Sequence, residues 1–165
     1  MRGLRRAPLV PQTMSDAIPL TLTPEQERLA LALSDMRQAA AAARLADQQL
    51  DHHARLALDT AISVSYARPW IDSNRAGKLK SKWLPPTGPD RDLHERLLNL
   101  RHKTYAHTDP ASCRHALAHL GPGKVLGIGE QWVPLKRDEL SAIAGLCDRQ
   151  AARFEQALVN ELDPI

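Results

Sequence analysis

A mainly α protein, a helical bundle with a small β-hairpin inserted before its last helix, is what this sequence predicts. Aromatic residues make up only 4% of the 165, too few to build the core of a sandwich or barrel. Alanine, the strongest helix former, is abundant. Residues 25–68 contain neither Gly nor Pro, and their apolar positions step by three and four. With 43% hydrophobic and 25% charged residues, the chain suits one domain with a single core. That domain is expected to span 23–165, behind a flexible basic and proline-containing tail at 1–22, with Met14 as an alternative start.

The elements follow in order. Thr23 reads as an N-cap, Pro24 as the first helical residue, and Gln26 as the third, which completes a capping box. The apolar positions beyond are Leu29, Leu33, Met36, Ala40 and Ala43, then Leu50, Ala54, Ala57, Ala61 and Val64. A single helix over 25–68 would be about 66 Å long at 1.5 Å per residue, too long for a domain of this size. A turn near 46–49 is expected, the alternative being one long helix that protrudes or dimerises. Pro69 ends the stretch, and residues 70–89 read as a loop rich in Pro and Gly. Asp90 is the expected N-cap of the next helix, whose stripe is Leu93, Leu97, Leu100 and Thr104, with Asp109-Pro110 closing it. Alternating residues on either side of Gly121-Pro122-Gly123 suggest the hairpin, with Trp132 capping the core. The last helix runs from about Arg137 to Leu162 on a stripe of Leu140, Ile143, Ala144, Cys147, Ala151, Phe154, Leu158 and Leu162.

Charge narrows the partners. The formal net charge is +3, of which the tail carries +2 through Arg2, Arg5 and Arg6 against Asp16. A body this close to neutral is not a general polyanion binder. Locally, however, Arg75, Lys78, Lys80 and Lys82 lie between Ser73 and Pro89 with no acid among them and Trp83 alongside. Such a loop can track a phosphate backbone or can be an ordinary solvated surface. No apolar run reaches the ~18 residues of a membrane span, and the first residues lack the apolar core of a secretory signal. Cys113 and Cys147 stand outside any CxxC. The expectation is a cytoplasmic protein with no membrane partner, no metal and no cofactor.

Several weak chemical signals can be set aside. Gly121-Pro122-Gly123-Lys124 lacks the upstream Gly and the Ser or Thr of a phosphate-binding P-loop, and reads as a turn. His115 and His119 have a ligand-like spacing but no Glu between them, and His52-His53 lie on a polar helix face. The informative stretch is Leu100-Arg101-His102-Lys103-Thr104-Tyr105-Ala106-His107-Thr108-Asp109, which gathers two histidines, an arginine and a lysine at the end of an amphipathic helix. An imidazole that titrates near neutrality can take a proton from a ribose 2′-hydroxyl and deliver one to a leaving oxygen. An arginine fork can hold the phosphate oxygens where charge accumulates. Six residues separate Arg101 from His107, about 120° around a helix. They converge only if the helix stops before His107 or a second subunit completes the site. The plainer reading makes both residues caps on the helix dipole, worth about 0.3–1 kcal/mol each.

Arg101, the polar His102 and His107 resemble the R-(polar)-x₄–₆-H signature of HEPN domains. The longer string LRHKTYAHTD is similar to the motif helix of the AbiU-like abortive-infection branch, which reads L-R-N-K-x-x-A-H-x-D. The segment YARPW at Tyr66–Trp70 resembles the end of that branch's preceding helix. The likeness covers roughly 45–109 and, more loosely, the last helix. Arg96–His102 and Arg114–His119 also satisfy the short pattern, so specificity rests on the longer string. The resemblance implies an HEPN-like up-and-down bundle that dimerises face to face and pairs two motif copies at one cleft. Carried over, Arg101 stabilises the pentacoordinate phosphorane and His107 serves as general base or acid. His102 stands where the family usually has Asn, and Asp109 where the HepT branch has its AMP-accepting Tyr, so that regulation is not expected.

The function that follows is a metal-independent RNA endonuclease of a defence or toxin type. Its catalytic residues are Arg101, His107 and His102, and its RNA contacts are Lys103, Arg75, Lys78, Lys80 and Lys82. RNA, with tRNA among the candidates, a second copy of the chain, and an antitoxin or regulatory protein are the implied partners. The alternatives are a non-catalytic RNA- or nucleotide-binding module and a helical interaction protein built on the Leu29–Val64 repeat.

Overall fold

Thr23 opens the first helix, α1 (Pro24–Gln48), through the expected reciprocal cap: its hydroxyl accepts from the Gln26 N–H, and the Gln26 side chain accepts from the Thr23 N–H. The computed structural model describes residues 21–49, 51–72, 77–102, 116–119, 125–129 and 135–162. Within them the fold is mainly helical: α1 is followed by α2 (His52–Ala67), α3 (Pro89–Leu100) and α4 (Arg137–Leu162), with short 3-10 turns at Arg68–Trp70 and Ser81–Trp83. Two short strands, β1 (Ala116–His119) and β2 (Val125–Gly129), pair antiparallel with a register irregularity between Leu117 and Ala118.

α1 is the central helix. It packs most extensively on α4 and next on α2, so its sides must be thin. Ala32, Ala39, Ala40, Ala42, Ala43 and Ala46 are all buried, and Leu29 and Met36 fill the wider end. Alanine at these positions lets two helices approach one while keeping full helix propensity. The α1–α4 pair is antiparallel: Arg37 meets Glu155, Arg44 meets Asp148, and Asp47 meets Arg137 along the seam. These pairs are exposed and contribute little each, so the apolar seam beneath them carries the energy.

The break after α1 falls where the length argument puts it. Gln48 ends α1, and Asp51 caps α2 by accepting from the Ala54 N–H at 2.8 Å. The break resets the helical phase. Ala57, expected on the buried stripe, is exposed, and Ala54, Ala61 and Val64 are only half-buried. The buried face of α2 is instead Asp59, Ile62, Ser63, Tyr66 and Ala67. Leu50 lies outside the described residues.

The α2 face contains a buried ion pair. The Asp59 carboxylate is fully buried, accepts from Arg55 Nε at 2.9 Å and accepts from the Leu135 N–H at 3.0 Å. Arg55 also donates to the carbonyls of Leu135 and Ala46. One pair thereby joins the end of α1, the first turns of α2 and the residue leading into α4. Burial raises the Asp59 pKa, with the Arg55 and Leu135 hydrogen bonds pulling against it. Asp35 on α1 behaves alike, raised by burial against the charge of Arg68, which donates to it at 2.6 Å.

α3 starts differently from expectation. Gly88, not Asp90, is its N-cap, with φ at +104°, a conformation open to glycine, and Pro89 takes the first helical position. Asp90 sits one residue later and receives two hydrogen bonds from Arg149 of α4, at 2.6 and 2.9 Å. α4 spans the range expected for it, with Leu140, Ile143, Ala144, Cys147, Ala151 and Phe154 buried and Leu146 and Gln150 beside them. Thr104, Tyr105, Asp109, Cys113 and Trp132 lie outside the described residues, as does the tail except for Thr21 and Leu22.

Removing one side of the buried pair should be costly. Asp59→Ala is expected to lower the unfolding free energy by about 3–5 kcal/mol, because it leaves the Arg55 guanidinium enclosed without its counter-charge. Asp51→Ala, which loses only a cap, should cost about 0.5–2 kcal/mol. Urea denaturation of the two variants beside the parent chain measures both.

Candidate functional site

The end of α3 presents the residues singled out by the motif. Leu97 is fully buried and anchors the helix, with Leu93, Leu98 and Leu100 half-buried around it. Arg101 follows as the C-cap, keeps right-handed helical backbone (φ −57°, ψ −48°) and donates its N–H to the carbonyls of Leu97 and Leu98. Its side chain is half-buried, and His102 is exposed. Arg101 Nη1 lies 3.3 Å from His102 Nδ1. A guanidinium can only donate, so Nδ1 is the acceptor in this contact.

The arginine's partner separates it from its neighbours. Among the described residues Arg37, Arg44, Arg55, Arg68, Arg96, Arg137 and Arg149 face carboxylates. Arg91 and Arg153 are fastened to backbone carbonyls. Arg101 is set against an imidazole, with no carboxylate paired to it among the described residues. Arg96, whose spacing to His102 also satisfies the short motif, is engaged by Glu139. Lys103, His107 and Arg75 lie outside the described residues.

The basic loop is less free than its sequence suggests. The segment is strapped to the body: the Leu79 N–H donates to the Pro69 carbonyl at 2.8 Å, and Arg153 of α4 donates to the Leu84 carbonyl at 3.2 Å. Lys78 is exposed. Lys80 and Lys82 both reach Glu25 on the first turn of α1, each at 2.8 Å. The hydrogen bond from Lys80 and the adjacent ammonium of Lys82 hold the Glu25 carboxyl well below the usual carboxylate range. Lys82 also lies 5.1 Å over the Trp83 ring, which packs against Phe154. The loop contributes no acid of its own; the acid comes from α1 and becomes adjacent only on folding.

Behind the motif lies a cluster that sequence reasoning missed. His94 is buried on α3, its Nδ1 2.9 Å from the Tyr66 hydroxyl, with the Trp70 ring edge-on at 5.0 Å. Burial, then the charge of Arg91, pushes the imidazole down to about 4, so it is neutral at physiological pH. Burial pushes the Tyr66 hydroxyl up. Position 94 lies one turn before Leu97, so the helical period placed it on the inner side; its polar residue type disguised it. Trp70 and Trp83 are packing residues here, both against Phe154.

The remaining reactive groups are committed. Both Asp59 oxygens have donors within the core. The Cys147 thiol is buried and free, raised to about 12 chiefly by burial, and is inert as a nucleophile. No group of three His, Cys, Asp or Glu side chains among the described residues is placed to hold a metal ion, and no described helix is long and apolar enough to cross a membrane.

No protein-family model, curated protein or solved structure matches this chain.

The neutral, enclosed His94 sets a pH dependence. Its unfolded-state value is near 6.5 and its folded value about 4. The unfolded chain therefore binds the proton first on acidification, and the stability His94 allows is complete above about pH 6.5 and lost as pH falls toward 4. Unfolding midpoints measured from pH 7 to 5 should decline less steeply in His94→Gln than in the parent, a comparison that cancels the opposing contributions of Asp35 and Asp59.

Proposed function

We propose that this chain is a metal-independent RNA endonuclease of a defence or toxin type, an HEPN-like bundle with a β-hairpin insertion, acting in the cytoplasm as a homodimer. The observation that carries the reading is the Arg101–His102 pair at the C-terminal end of α3. Among the described residues this guanidinium faces no carboxylate, and a phosphodiester is a fitting counter-charge for it.

In this mechanism His107 removes the proton from a ribose 2′-hydroxyl, whose oxygen attacks the adjacent phosphorus. Arg101 binds the equatorial oxygens as charge grows on the phosphorane. An imidazolium, from the partner copy's motif or from His102 once it leaves Arg101 and takes up a proton, protonates the departing 5′-oxygen as the P–O bond breaks. The products are a 2′,3′-cyclic phosphate and a 5′-hydroxyl, with no metal or external nucleophile. A two-fold axis supplies two imidazoles to one cleft, which matches the need for a base and an acid. Lys103 and the Arg75–Lys82 loop would hold the flanking phosphates, with an antitoxin or other regulatory protein covering the cleft.

Purified protein incubated with total RNA and with tRNA in EDTA is expected to produce fragments ending in cyclic phosphate. Arg101→Ala should slow cleavage by about 10²- to 10³-fold. His107→Ala should slow it by about 10²- to 10⁴-fold. Undiminished cleavage by the His107→Ala protein would eliminate its assigned role, and RNA binding without any cleavage would leave a binding module in place of the enzyme.

A further inference from the structure

The contact of Lys80 and Lys82 with Glu25 differs in form from the ion pairs along the α1–α4 seam. There, one cation meets one carboxylate: Arg37 with Glu155, Arg44 with Asp148, Arg137 with Asp47. Here two ammonium groups, two residues apart, lie against opposite oxygens of a single carboxylate: Lys80 donates to Oε2 and Lys82 ion-pairs with Oε1, both at 2.8 Å. The Glu25 side chain is 25% exposed, and the lysines are 61% and 56% exposed. The acid is therefore the inner member and the lysines form the rim.

The lysine stems leave a fixed platform. Trp83 and Leu84 close a 3-10 turn by donating to the carbonyls of Lys80 and Ser81. Leu79 is buried beneath the turn, Arg153 of α4 holds the Leu84 carbonyl, and Trp83 packs on Phe154 while supporting Lys82 on its face. Two cations spaced by a rigid turn to chelate two oxygens of one anion are equally spaced for the two non-bridging oxygens of a phosphodiester.

We propose that Lys80 and Lys82 form a binding site for one backbone phosphate of a single-stranded nucleic acid, and that Glu25 occupies this site in the free protein as an internal competitor. The inference rests on the RNA-binding part of the function proposed above and adds a gate to it. A single small anion gains little by displacing a tethered carboxylate. A polyanion anchored at further points displaces it readily, because its local concentration at the lysines is then high. The freed Glu25 keeps a favourable place in solvent at the first turn of α1, where negative charge suits the helix dipole. Since its carboxyl, held below the usual carboxylate range by the two ammonium groups, is ionised throughout the neutral range, salt and ligand valence govern the gate there, and pH does not.

The test uses a short oligothymidylate, whose deoxyribose backbone lacks the 2′-hydroxyl and so reports binding without cleavage. Glu25→Gln should tighten binding at low salt by about 3- to 10-fold, the benefit of removing a competitor that holds the site about 70–90% of the time. Glu27→Gln makes the same charge change on the same helical turn at a residue that pairs with neither lysine, and should change affinity by less than about twofold. Adding Lys80→Gln and Lys82→Gln to the Glu25→Gln protein should cancel the tightening, and the same two substitutions in the parent should weaken binding. Equal tightening by Glu25→Gln and Glu27→Gln, or tightening that survives loss of both lysines, would overturn the gate. RNA cleavage assays with His107→Ala address the nuclease alone, so either idea can fail without the other.

Discussion

The arrangement of the helices depends on one enclosed charge pair. Asp59 has no exposed surface, and its two oxygens are met by Arg55 from its own helix and by the backbone N–H of Leu135. Arg55 spends its remaining donors on the carbonyls of Leu135 and Ala46. The end of α1 and the start of α2 therefore meet the approach to α4, some eighty residues on, at one hydrogen-bonded node. A buried ion pair of this kind is weak as a net source of stability, since desolvation offsets most of the attraction. Its effect is specificity: any register of α4 that withdraws the Leu135 backbone leaves a carboxylate oxygen without a donor inside the core.

α3 is held in another way. It shares a smaller interface with α2 than α1 does with either of its neighbours, and discrete contacts hold it in place: Asp90 to Arg149, Arg91 to the Pro85 carbonyl, His94 to Tyr66, and Leu97 in the core. These contacts fall in the first three turns. Arg101 and His102 follow these anchors, with their side chains facing each other. In the loop before α3 the turn is rigid while its lysines remain on the rim.

Much of the helical framework was legible because its signals are local. A Thr, a Pro and a Gln at the right offsets made the capping box at 23–26, and the hydrophobic period of 137–162 described its own helix. The two errors share a cause. Extending the phase of α1 through the break near residue 49 put Ala57 on a buried face, where Asp59 belongs, because periodicity has no memory across an interruption in the chain. Choosing Asp90 as the N-cap followed residue preference, yet its carboxylate serves Arg149 from a helix 59 residues away, and Gly88 with Pro89 begins the helix instead. In the candidate site, Arg101 and His102 were found from their chemical types and spacing. His94 escaped because a neutral, enclosed histidine differs from an exposed one only in its surroundings.

The amino-acid order alone determined the cap that opens α1, the extent and apolar face of α4, and which segments concentrate groups suited to phosphate chemistry. Those properties follow from backbone capping and from side-chain spacing over a few residues. Only the tertiary structure decided which charges are spoken for. It placed Glu25 between two lysines more than fifty residues away, assigned carboxylates to many of the arginines, and set Arg101 against an imidazole. Electrostatic pairing acts through space, over a few ångströms, and the chain acquires those distances only when its helices pack.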